Sequence, residues 1–124
     1  MSTITVTNIK ATGETASRFA TGVAAAWVLY NGDTSGGAVL DSVNISSVTD
    51  SATGNFRTNF SSNMANVNYS SVGMSRVYHI NSAGADDKTV TGEKHQTFYV
   101  SNTSGGRTDF DLVRNAVNYH GDLA

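Results

Sequence analysis

The sequence predicts an all-β protein: a single-domain β-sandwich, jelly-roll-like or of a similar kind, with an extended N-terminal arm. Three observations carry this. Six to eight short runs of strand-like residues are separated by turn signals roughly every ten residues, the spacing of a sandwich or small barrel. Ser, Thr, Asn and Gly make up roughly two-fifths of the chain, well above ordinary usage, while 39% of residues are hydrophobic and fall in regular short runs. Pro is absent, so Gly, Asn and Asp must set the turns.

The elements follow in order. Thr3 to Ile9 opens with alternation, Ile4 and Val6 against Thr3, Thr5 and Thr7, which is strand periodicity. A weakly patterned stretch containing Gly13 and Gly22 follows. Residues 1–22 therefore read as an arm and residues 23–124 as the sandwich. Ile4, Val6 and Ile9 are the candidate assembly residues of the arm, since strand addition needs only backbone pairing and a few apolar pockets.

Val23 to Tyr30 is apolar on both faces, as in a strand covered on both sides. Its Ala-rich start also suits a helix, whereas Trp27-Val28-Leu29-Tyr30 and the Asn31-Gly32 stop favour a strand. Residues 42–49 and 54–60 read as a hairpin, with Gly54 able to take positive φ in the turn. In the return strand Phe56, Thr58 and Phe60 share a core face; Trp27 is expected in the core with them. Residues 69–80 alternate, Val72, Met74, Arg76 and Tyr78 opposite Gly73, Ser75, Val77 and His79. Residues 95–101 form another strand. Residues 109–119 fit a strand or a helix, and the β-rich context favours the strand.

Composition narrows function. The formal net charge is −2, so there is no basic field for phosphates and no nucleic-acid partner is expected. No stretch approaches the ~18 apolar residues of a membrane span, and no basic-then-apolar leader opens the chain. Without Cys there is no disulfide and no thiolate metal site.

No catalytic, cofactor or metal constellation emerges. Gly32-Asp33-Thr34-Ser35-Gly36-Gly37 differs from the Gly-Asp-Ser-Gly-Gly of trypsin-like proteases by the inserted Thr34, and a triad needs an oriented His that no segment announces. It reads as a turn. His79, His95 and His120 have no spacing that requires convergence on a metal. Asp86-Asp87 and Asp109-Phe110-Asp111 read as solvated carboxylates, not as a glycosidase pair. Tyr69, Arg76 and Tyr78 are the candidate contacts to a glycan or protein partner, because aromatics and Arg are enriched at interfaces.

Ala26-Trp27-Val28-Leu29-Tyr30-Asn31-Gly32, then Asn44 to Asp50, Gly54, and Phe56 with Phe60 resemble a module of tailed-bacteriophage virion proteins of tail-fibre and minor structural type. Met64 with Tyr69, and the opening Met1 to Ile9, extend the likeness to residues 1–9 and 26–72. The resemblance implies a non-enzymatic virion subunit that forms a homo-oligomer, a trimer by analogy with fibres and decoration proteins, and docks to other virion proteins. The chain has the module and an arm but no long shaft. That points to a small fibre-type or particle-surface subunit, with a capsid decoration protein or a host-surface carbohydrate-binding module as alternatives.

Overall fold

The computed structural model describes residues 6–9, 18–19, 23–34, 36–75, 79–82, 87–100 and 105–124. Twelve strands follow in order among them: β1 (Asn8–Ile9), β2 (Arg18–Phe19), β3 (Ala26–Asn31), β4 (Ala38–Val43), β5 (Ile45–Ala52), β6 (Asn55–Phe60), β7 (Ser70–Ser75), β8 (His79–Ser82), β9 (Lys88–Thr89), β10 (Gly92–Val100), β11 (Arg107–Asp109) and β12 (Asn115–His120). The described residues include no α-helix.

Two antiparallel sheets pack face to face, as the sequence predicts. One has the order β4-β3-β12-β7. The other is built on β10, which pairs β6 and β11 along one edge and β8 and β9 along the other, with β5 outside β6. The sheets are linked at both margins. At one, β4 ends at Val43 and β5 begins at Ile45 in the opposite sheet; at the other, the chain leaves β7 and re-enters as β8.

Asn44 makes the first corner. It has φ 55, a left-handed conformation that Asn tolerates better than most residues. Its side chain ties the corner down: Nδ2 donates to the Ala25 and Ser62 carbonyls, and Oδ1 accepts from the Ser62 N–H at 2.7 Å. The expected strand over 42–49 is therefore two strands in two sheets. The next irregularity is a register shift between Ile45 and Ser47. It lets Ile45 and Val48, three apart, both pack toward the core, which strict alternation would forbid.

The β5–β6 hairpin forms as expected, and Gly54 takes φ 69. A Cβ there would stand 2.5 Å from the Thr97 carbonyl oxygen and 2.8 Å from the Phe110 nitrogen. Only glycine fits, because the hairpin tip is pressed against β10 and the segment after β11. Asp111, expected in solvent, instead accepts a 2.6 Å hydrogen bond from the Gly54 N–H. Asp109 pairs with Arg107 at 2.7 Å. The ambiguous C-terminal segment is β in two pieces, β11 and β12, separated by residues 110–114.

The core lies between the sheets: Ala26, Val28, Tyr30, Val117 and Tyr119 from one, Val48, Phe56 and Phe60 from the other, with Met64 and Tyr69 closing one end. Phe60 meets Tyr119 and Tyr69 edge-on, at centroid distances of 5.0 and 5.6 Å. Trp27 is not in the core. Ala26, Val28 and Tyr30 point inward along β3, so alternation turns Trp27 and Leu29 to the outer face, where both are half-buried. Nearer the N-terminus, residues 18–19, within the stretch expected to be weakly patterned, form a strand that pairs Phe19 with Asn8 and Arg18 with Ile9.

Candidate functional site

Two features stand out from an ordinary sandwich. The first is a polar cluster inside it. Along β10, Glu93, His95 and Thr97 share the inward face and are buried, as is their neighbour Thr58 on β6. Tyr119 reaches across from β12. Its hydroxyl meets His95 Nε2 at 2.5 Å and Thr58 Oγ1 in a short hydrogen bond. Thr58 Oγ1 donates onward to the Glu93 carbonyl at 3.2 Å.

That last bond orders the others. With the Thr58 hydrogen committed to a carbonyl, Thr58 Oγ1 accepts from Tyr119, and Tyr119 accepts from His95 Nε2–H. The chain His95→Tyr119→Thr58→Glu93 carbonyl uses each donor once and assigns the Nε2–H tautomer from the network. Burial holds the His95 imidazole down at about 4, opposed by the Glu93 carboxyl and aided by Lys88. Burial likewise pushes the Tyr119 phenol well above its ordinary value.

Glu93 is fully buried. Its Oε1 accepts from Ser71 Oγ at 2.8 Å. Oε2 has no partner among the described residues, nor do Tyr30 Oη and Asn115 Oδ1. A His, a Tyr and a Glu together could move protons, but these side chains face one another between two sheets. Their hydrogen bonds join β6, β10, β12 and β7.

The second feature is the outer face of the four-stranded sheet. Cross-strand registers set two rows on it: Val43–Trp27–Asn118–Val72 and Asp41–Leu29–Ala116–Met74. Met74 is 71% exposed, Val72 58% and Val43 47%. Asp41 is the sole carboxylate in these rows, and they contain no Lys or Arg. The outer face of the other sheet is the opposite in character. There Ser47, Thr49, Asn55, Asn59, Arg57, Lys94 and Gln96 face outward, with Phe98 beneath Arg107 and exposed Val100 as the apolar residues toward the end of β10. Asn59 Nδ2 donates to Ser47 and Thr49 at 3.0 and 3.1 Å, Gln96 donates to Asn55 at 3.0 Å, and Lys94 pairs with Asp87 at 2.6 Å.

The residues singled out by sequence fare unevenly. Tyr69 is no surface contact: it is buried, its hydroxyl donates to the Thr89 and Gly92 carbonyls at 3.0 and 3.2 Å, and Lys88 covers its ring. The loop before β7 carries it inward to close the end of the core. Ile4, Arg76 and Tyr78 lie outside the described residues. Val6 is exposed, and Ile9 belongs to β1. His79 and His95 fall on neighbouring strands, but the His95 ring nitrogen is engaged by Tyr119 and Thr58. The described residues contain no group of three or more His, Cys, Asp or Glu that could hold a metal.

Sequence reasoning missed both features. Glu93-x-His95-x-Thr97 alternates as polar residues do on a wet face, so periodicity alone turns it the wrong way. The apolar outer face has a signal: in β7, Val72 and Met74 alternate with Ser71, Gly73 and Ser75. Small inward residues there leave room for Glu93 and Tyr119, which marks the apolar pair as outward.

The fold and these two features define a sandwich with a hydrogen-bonded interior and one apolar outer face. The chain matches no protein family, no curated protein and no solved structure.

Proposed function

We propose that the chain is a non-enzymatic structural subunit of a bacteriophage virion, a small fibre-type or particle-surface protein that assembles as a homotrimer and docks to the particle. The observation that carries this is the contrast between the two outer faces. One sheet presents amides, hydroxyls and charges that suit solvent. The other presents Trp27, Leu29, Val43, Val72 and Met74. Contiguous exposed apolar surface on a soluble domain marks a contact with another molecule. A domain with one wet face and one apolar face is suited to sit against neighbours in an assembly. The resemblance over Ala26 to Phe60 supplies the kind of assembly.

A capsid decoration protein is the second reading, since the same apolar face would equally suit a subunit seated on a particle surface. The glycan-binding alternative loses Tyr69 to the core. The test is the protein composition of purified virions by quantitative mass spectrometry. The chain should be present at a fixed copy number relative to the major capsid protein. A number on the scale of the capsid lattice assigns it to decoration, and one on the scale of a single tail assigns it to a fibre or tail. Its absence from particles that contain the other structural proteins overturns the proposal.

A further inference from the structure

We propose that copies of this chain meet through the outer face of the four-stranded sheet, with Trp27, Leu29, Val72 and Met74 at the centre of the contact. The inference rests on the homo-oligomer reading above and assigns its surface.

Extent is the first argument. Four strands of about six residues, spaced ~4.8 Å apart with a ~3.3 Å rise, make a face of the order of 400 Å² in flat projection. Side chains standing off the sheet add accessible area to this, for comparison with the ~800 Å² per partner of a standard stable interface. The layout also fits. Half-buried Trp27, Leu29 and Ala116 lie on the two central strands, while more exposed Val43, Val72 and Met74 lie on the flanking ones. Asp41, Ser70, Asn31 and His120 stand around them, and exposed Asn118 lies between Trp27 and Val72, giving a mainly apolar centre and a polar rim.

Charge is the second argument. In the two central rows only Asp41 is charged, and it sits on the edge strand β4. Copies turned toward the common axis of the proposed trimer bring the same apolar residues together and bury no like-charge pair from these two rows. Among these apolar residues an anionic partner, whether nucleic acid, acidic glycan or anionic lipid, finds no cation; exposed Arg114, just before β12, lies beyond the two rows. A copy of the same face is the complement that the chemistry fits.

The test is light-scattering mass across a concentration series for the wild type and three variants. Val72→Glu combined with Met74→Glu puts two carboxylates on the most exposed apolar positions. Met74→Gln is a milder change that keeps the test decisive if the double variant folds poorly, as read by circular dichroism. Ser47→Glu places a charge on the polar outer face as a control. The wild type should exceed the 13.0 kDa of one chain. The double variant should dissociate to that mass, Met74→Gln should raise the dissociation constant about tenfold, and Ser47→Glu should change nothing. A wild-type oligomer whose mass survives both sheet-face changes overturns the assigned surface and leaves the homo-oligomer standing. A wild type that stays at one chain throughout overturns both.

Discussion

Phe56→Ala is expected to cost about 4 kcal/mol of folding stability, the range for an emptied aromatic site in a closed core. Phe56 is buried on β6, its ring 5.3 Å from that of Tyr30 across the sandwich. The turn after β3 closes over it. A Cβ on Gly32 would stand 2.7 Å from Phe56 Cζ and 2.9 Å from the Leu112 carbonyl oxygen, and one on Gly37 would stand 2.8 Å from Val48 Cγ1. Gly32 and Gly37 therefore let the backbone after β3 lie close on Phe56 and Val48. Gly36 and Gly37 also take φ 88 and 67. Because the site is hemmed in by backbone, it has little freedom to collapse around the void. Urea unfolding reads the loss directly. Phe56→Leu, which restores most of the volume, should cost about 1 kcal/mol. Equal losses for the two variants would mean that the ring is not packed as described.

The second large effect is with pH. His95 is held at about 4 in the fold, against its ordinary 6.5. Between these values the unfolded chain takes up a proton that the folded chain does not. Stability is therefore full above about pH 6.5 and falls as the pH drops toward 4, by about 3 kcal/mol over the whole window. About 2 kcal/mol of this should be lost between pH 7 and pH 5, before most carboxylates titrate. Urea unfolding at these two values measures it. His95→Gln should flatten the slope, since glutamine has no proton to gain. An unchanged slope in that variant would assign the pH dependence elsewhere.

The architecture was legible where alternation was clean. Phe56, Thr58 and Phe60 announced a core face, and Gly54 announced its turn. The illegible parts have physical causes. Asn44 lies between Val43 and Ile45 and reads as a continuing strand, because a single left-handed residue leaves no mark on apolar alternation. β4 is exposed along an edge, so Ala38 to Val43 has no buried face to pattern. Val23 to Tyr30 is apolar on both sides, and nothing local decides which side faces in. That is why Trp27 was expected inside. The choice is made by Asn115, Val117 and Tyr119 of β12, which pair with Tyr30, Val28 and Ala26. The interior cluster was hidden for the opposite reason: its polar residues find their hydrogen-bond partners far away in sequence, Glu93 Oε1 in Ser71 and His95 in Tyr119.

The central claim is that the outer face of the four-stranded sheet is covered in the working protein. Methionine oxidation reads this most directly. Met74 is 71% exposed on a single chain and Met64 is 1% exposed, so one chain carries both a probe and a buried reference. Exposed methionine is readily converted to the sulfoxide. When the assembled protein is treated with peroxide and followed by peptide mass spectrometry, Met74 should oxidise nearly as slowly as Met64. It should become fast in the Val72→Glu variant, where the face is opened. Fast oxidation of Met74 in the wild-type protein, with Met64 still protected, would contradict a covered face.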